Sequence, residues 1–169
     1  MAQQKQTKSL EKLFIEQMKD IYSAETQLVS ALPKMAKAAS TPELQEAFNM
    51  HLDETRNQVQ RLEKLFEGID ASPRGKKCRG MEGLIEEGNE LIKEKAEYDP
   101  ETLDAGLIAA AQKVEHYEIS AYGSVRAFAE QLGRQEAVDI LNQTLDEEYA
   151  TDRKLSAIAE TMVNQEAVK

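Results

Sequence analysis

The stretch Leu107–Leu132, LIAAAQKVEHYEISAYGSVRAFAEQL, decides the fold. Leu107, Ala111, Val114, Glu118, Ala121, Val125, Phe128 and Leu132 recur at alternating steps of four and three, the spacing of one face of a long helix. Every position of that seam is apolar except Glu118, and Glu115 lies one turn before it. Polar residues normally take the outer face of such a helix, because an unpaired buried carboxylate loses its hydration.

The same anomaly recurs in three other segments. One seam reads Phe14, Met18, Ile21, Glu25, Leu28, Leu32, and another reads Leu141, Leu145, Glu148, Asp152, Leu155, Ala159, Met162. A third inner face holds Leu44, Phe48, His51, Thr55, Gln58, Leu62 and Leu65, with Glu54 three residues after His51 and therefore on the same side. Glu25, Glu54, Glu118 and Glu148 each fall near the midpoint of their own segment. Four helices of similar length packed side by side bring those midpoints into one layer. An isolated acid on a seam usually pairs with a nearby Lys or Arg, but four acids at one depth need a shared explanation.

Punctuation divides the chain into helix A at about 9–38, helix B at about 42–67, helix C at about 100–132 and helix D at about 134–163. Pro33 predicts a kink in helix A, since it removes a backbone donor. Thr41-Pro42 and Asp99-Pro100 pair a capping residue with a proline at the first helical position, so Thr41 is expected to cap helix B. Gly68 and Gly133 read as stops. The short A–B link makes those helices antiparallel neighbours. Residues 68–99 form a long crossover, with a shorter helix from Glu82 to Ala96 interrupted by Gly83 and Gly88. Two antiparallel hairpins joined by such a crossover make an all-α, ferritin-like four-helix bundle, with an additional short helix, as a single domain over 1–169. Leu52-Asp53-Glu54 with Leu62 matches Leu145-Asp146-Glu147 with Leu155 at equal spacing, which suggests an internal repeat. The repeat favours Glu147 as the inward acid of helix D, whereas the seam favours Glu148 and bears more directly on direction.

Clustered buried carboxylates repel one another and cost several kcal/mol each in desolvation, so they either protonate, reach water or neutralise cations. Several carboxylates with one imidazole suit a pair of iron or manganese ions, which accept mixed oxygen and nitrogen ligands. Calcium has no use for the imidazole, and zinc takes fewer ligands. Candidate ligands are Glu25, His51, Glu54, Glu115, Glu118, Glu148 and Asp152. His51-x-x-Glu54 reverses the Glu-x-x-His order usual in two-metal bundles. His116 points about 100° away from Glu115 and reads as a surface residue. Tyr22 and Tyr117 fall near the layer, either as packing or as donors to a ligand carboxylate.

Composition excludes several classes. A net charge of −10 argues against a nucleic acid partner, and Lys5 and Lys8 make too small a basic arm. The run Arg74, Lys76, Lys77, Arg79 reads as a solvated loop. The single cysteine, Cys78, points to a reducing compartment. Lys77 and Arg79 beside it would lower its pKa, although a structural role is the simpler reading. There is no apolar run of about 20 residues and no apolar core in MAQQKQTK, so a cytoplasmic protein with no membrane partner is expected.

Five stretches carry a resemblance: Tyr22-Ser23-Ala24-Glu25 with Gln27, His51-Leu52-Asp53-Glu54-Thr55, Cys78–Ala96, Leu107–Ile119 and Leu145–Glu148 with Ala150-Thr151-Asp152. Through them nearly the whole chain resembles the YciF/YciE family of ferritin-like bacterial stress-associated proteins, closest to the YciF branch. The resemblance implies a homodimer with a rubrerythrin-like site for two iron or manganese ions per chain, iron favoured. With that site, rubrerythrin-like oxidant or peroxide handling is the expected function, and the alternative is a non-catalytic metal-binding or structural or interaction stress protein with no turnover. By that analogy the ligands are Glu25, Glu54, Glu115, Glu118 and Glu148, with His51 and Asp152 where histidines would stand. The chain has no CxxC pair, so electrons would come from a separate donor.

Overall fold

The computed structural model describes residues 9–169. Lys5, Lys8 and the stretch read for a leader lie outside the described residues. The elements are α1 (Leu10–Ala38), α2 (Pro42–Gly68), α3 (Arg79–Lys93), a 3-10 turn (Lys95–Glu97), α4 (Pro100–Gln131), α5 (Gln135–Ile158), a π-helical turn (Ala159–Val163) and α6 (Asn164–Glu166). Among the described residues there is no strand. No described helix is long and apolar enough to cross a membrane.

The local chemistry accounts for most boundaries. The Ser9 hydroxyl accepts the Lys12 N–H at 3.3 Å and starts α1. Pro33 does not end that helix. It sits on the exposed side, and α1 continues to Ala38 with Leu32 and Ala36 buried, so packing outweighs one missing backbone bond. Asp99 accepts the Thr102 N–H at 2.8 Å and starts α4, as the Asp-Pro signal predicts.

Two expectations about caps need correction. Thr41 occupies the cap position of α2, but its hydroxyl makes no capping bond. The acceptor comes from α4: Asp104 takes the Ser40 N–H at 2.8 Å and the Thr41 N–H at 2.9 Å. The crossover helix begins at Arg79, not Glu82, because the Cys78 sulfur accepts the Met81 N–H at 3.4 Å. Cysteine is not among the usual capping residues, so the sequence hides this start. Gly68 is the last residue of α2, and the left-handed turn falls on Asp70, at φ 49. Gly133, at φ 69, does stop α4.

α1 pairs with α2 and α4 with α5, forming two hairpins. α1 also abuts α4 and α2 abuts α5, while α3 lies over α1 and α4. This is the ferritin-like connectivity. α3 seats closely: a Cβ at Gly80 would stand 2.8 Å from the Tyr117 ring. The Tyr117 hydroxyl, 2.9 Å from Cys78 Sγ, donates to Asp20 Oδ2 at 2.7 Å. Tyr117 therefore ties the crossover to α1.

The core is split. One apolar cluster gathers Leu28, Leu32, Phe48, Met81, Leu107 and Leu155. The other gathers Phe14, Met18, Leu62, Phe66, Val125 and Leu141. Each fully buried side chain of this kind stabilises the fold by roughly 1.5–3 kcal/mol. Glu25, His51, Thr55, Gln58, Glu115, Glu118, Thr144 and Glu148 are all buried but belong to neither cluster.

Candidate metal centre

Each long helix contributes to this polar layer. α1 supplies Glu25, α2 supplies His51 and Gln58, α4 supplies Glu115, Glu118 and Tyr122, and α5 supplies Glu148. Steps of three, four and seven keep each set on one helix face. Ligand atoms of His51, Glu115 and Glu118 lie within 4.8 Å of one another, as do those of Glu25, Glu118 and Glu148. Glu118 is common to both triads. His51 Nε2 stands 3.2 Å from Glu115 Oε1.

Few of these atoms have hydrogen-bond partners. The Tyr122 hydroxyl donates to Glu25 Oε1. The Gln58 amide donates to Glu148 Oε1 at 2.7 Å. Glu25 Oε2, Glu148 Oε2, both oxygens of Glu115 and of Glu118, and both ring nitrogens of His51 are buried and have no hydrogen-bond partner among the described residues. Native interiors rarely leave so many acceptors orphaned in one place. The orphans converge, and their donor set is mixed carboxylate and imidazole, so the residues fit a pair of divalent transition-metal ions.

The electrostatics agree. Burial pushes Glu25 up to about 7, with the Tyr122 hydrogen bond pulling the other way. Burial raises Glu115 to about 8. Burial and neighbouring carboxylates push Glu118 and Glu148 well above the usual carboxylate range. Burial lowers His51 to about 4, which leaves a neutral imidazole with a free lone pair at neutral pH. Cations in the layer would reverse the carboxylate shifts, since a ligand must give up its proton.

Two residues predicted alongside these stand apart. Glu54 is half-buried, belongs to neither triad and accepts the Thr151 hydroxyl at 3.3 Å. Asp152 is half-buried at the α4–α5 edge, accepts the Gln112 amide at 3.0 Å and lies 3.4 Å from His116 Nε2. His116 is itself 70% exposed. Glu148 points inward, as the seam implies, whereas Glu147 turns outward to Arg61, whose guanidinium donates to it at 2.6 and 2.8 Å. Neither proposed tyrosine donates to a layer carboxylate: Tyr22 donates to Glu63 at 2.9 Å and Tyr117 to Asp20. Burial raises the Cys78 thiol pKa, contrary to the effect expected of Lys77 and Arg79.

Tyr122 and the bond from Gln58 are what the seam reading misses. A strict four-three alternation has a period of 3.5, but a straight α-helix has 3.6, so the buried stripe drifts. Along α4 it slips by one residue, and Tyr122 and Ala129 are buried where Ala121 and Phe128 were expected. The available signal was Tyr122 four residues after Glu118, and Gln58 seven after His51.

Residues 9–168 match the family described as a domain of unknown function, DUF892. The chain is 49% identical to protein YciF of Escherichia coli K12 over 161 residues, which is 95% of this chain and 96% of that protein. The crystal structure of the E. coli stress protein YciF superposes with a TM-score of 0.89 at 48% identity, covering 94% of this chain and 99% of that one. YcfI from Rhodopseudomonas palustris superposes with a TM-score of 0.86 at 38% identity, covering 92% and 98%. This chain belongs to the DUF892 family of ferritin-like proteins, the family of YciF.

Proposed function

We propose that this chain holds two iron or manganese ions, iron favoured, in the layer of Glu25, His51, Glu115, Glu118 and Glu148, and that it handles peroxide or a related oxidant under stress. One observation carries the reading: two triads of buried ligand atoms share Glu118, and most atoms of these side chains have no hydrogen-bond partner among the described residues. The stress role rests on kinship with a relative described as a stress protein.

When bound, the ions would supply a redox couple and Lewis acidity. The chain's residues have separate tasks. Gln58 orients Glu148, and Tyr122 orients Glu25 and holds a proton beside it. His51 stays neutral because it is buried. The apolar clusters on either side keep bulk water from the layer. With a single cysteine in the chain, a separate protein would deliver the electrons. A homodimer in the cytoplasm, with no nucleic acid or membrane partner, completes the proposal.

Elemental analysis of untagged protein reconstituted with iron or manganese tests the site, and peroxide consumption tests the activity. Two equivalents per chain together with peroxide loss support the whole reading. Two equivalents without peroxide loss leave a metal-binding protein without turnover. Failure to bind either metal overturns both.

A further inference from the structure

A cavity of about 210 Å³ opens between α2 and α5. Met50, His51, Glu54, Ala150, Thr151 and Lys154 line it. It meets the buried layer at His51, which also belongs to a ligand triad. Three larger cavities, beside Phe14 and Arg134, beside Tyr22 and Arg74, and beside Gln27 and Lys34, touch none of the layer residues.

The residues form a graded path. Exposed Lys154 has its Nζ 3.2 Å from Met50 Sδ. Half-buried Glu54, the one carboxylate among the described lining residues, accepts the Thr151 hydroxyl across the cleft. His51 is 3% exposed, and neither of its nitrogens has a hydrogen-bond partner. Carboxylate and imidazole stand three residues apart on one helix face, so a cation meeting Glu54 is one turn from a nitrogen ligand. A neutral ligand would have no need of the carboxylate.

We propose that the α2–α5 cleft is the port through which divalent cations reach the layer, that Glu54 receives them there without remaining a ligand, and that Lys154 slows their passage. This rests on the two-metal reading of the layer. The charge logic fixes two opposite signs: removing Glu54's charge slows uptake, and removing that of Lys154 speeds it.

Cobalt(II) uptake by the full chain, followed by anaerobic stopped-flow absorbance, tests the port. Glu54→Gln is expected to slow uptake at least tenfold, and Ala150→Leu, at an exposed wall position, to slow it similarly. Lys154→Gln is expected to speed it several-fold at low salt, with the gain lost at high salt. All three should reach the unmodified protein's final two equivalents. A final stoichiometry reduced by Glu54→Gln makes Glu54 a resident ligand and overturns the inference. Full uptake at rates indifferent to all three substitutions overturns the port alone. An unmodified chain that takes up no cobalt overturns the two-metal reading with it.

A metal-free readout checks access directly. The chain has two histidines, so diethyl pyrocarbonate labelling of His51 can be normalised to that of exposed His116 by mass spectrometry. Ala150→Leu is expected to cut His51 labelling severalfold and leave His116 unchanged. Unchanged labelling of His51 counts against the cleft as its route.

Discussion

Gln58 on α2 reaches across to α5, where its amide nitrogen stands 2.7 Å from Glu148 Oε1 and 3.2 Å from Glu147 Oε2. One side chain thus touches both members of an adjacent acid pair that face in different directions. Glu148 looks into the layer, and Glu147 looks out to Arg61. Gln58→Leu keeps the approximate volume and deletes the donor. Outer contacts that orient ligand carboxylates are worth about 10–100-fold in metal affinity, so a loss of that size is expected in chelator competition. An unchanged affinity would show that Glu148 is positioned by packing alone.

Glu118 separates folding from binding. Glu118→Gln removes one of several buried carboxylates and the repulsion or protonation that each imposes. Metal-free protein is expected to be more stable in urea denaturation at about pH 8 than the unmodified chain, because the folded state no longer has to bury a carboxylate or keep its proton. Because Glu118 belongs to both triads, the same variant should lose both ions, whereas Glu25→Gln, in one triad, should retain more. Elemental analysis of the two variants side by side checks the difference.

The pH dependence of the metal-free chain follows from the same layer. Folded Glu25 and Glu115 release their protons near 7 and 8 against an ordinary 4.5, and Glu118 and Glu148 also titrate high. Between those values the folded state holds protons that the unfolded state has lost. Stability is therefore full, for these groups, below 4.5 and falls as pH rises through 7 and 8. His51 acts oppositely between about 4 and 6.5, where only the unfolded imidazole is protonated. Above 6.5 the carboxylates act alone, so the Tm of metal-free protein is expected to decline from pH 6.5 to 8. Metal-loaded protein should show a flatter profile, and Glu118→Gln a shallower slope, both by calorimetry.

Asp104 offers a test remote from the layer. It is fully buried and caps a helix to which it does not belong, through the Ser40 and Thr41 amides. Asp104→Ala removes both bonds, and because Ser40 is exposed and Thr41 half-buried, water takes up the freed amides, so a loss of about 1–3 kcal/mol is expected. Thr41→Ala should cost much less, since its hydroxyl makes no capping bond. Chemical denaturation of both variants compares a cap read from sequence with one supplied by the fold.

The helices, their order and the depth of the acids were legible in the residues. Heptad-like spacing and the Asp-Pro and Gly signals act within a few positions, so Glu25, Glu118 and Glu148 could be placed on inner faces from the chain alone. The limits were equally local. Asp104 capping α2 from α4 joins positions more than sixty residues apart, at |i−j| of 64 and 63, and no local pattern encodes it. Asp152 and Glu54 share inner-face spacing with the other acids, yet both sit at helix–helix borders. Spacing fixes an angle around one helix, but the neighbour that meets that angle is set only when four helices pack. By itself the sequence determined a ferritin-like bundle with acids buried at its middle. Packing alone decided that Glu25, His51, Glu115, Glu118 and Glu148 converge with their atoms unpartnered, since convergence depends on distances between helices.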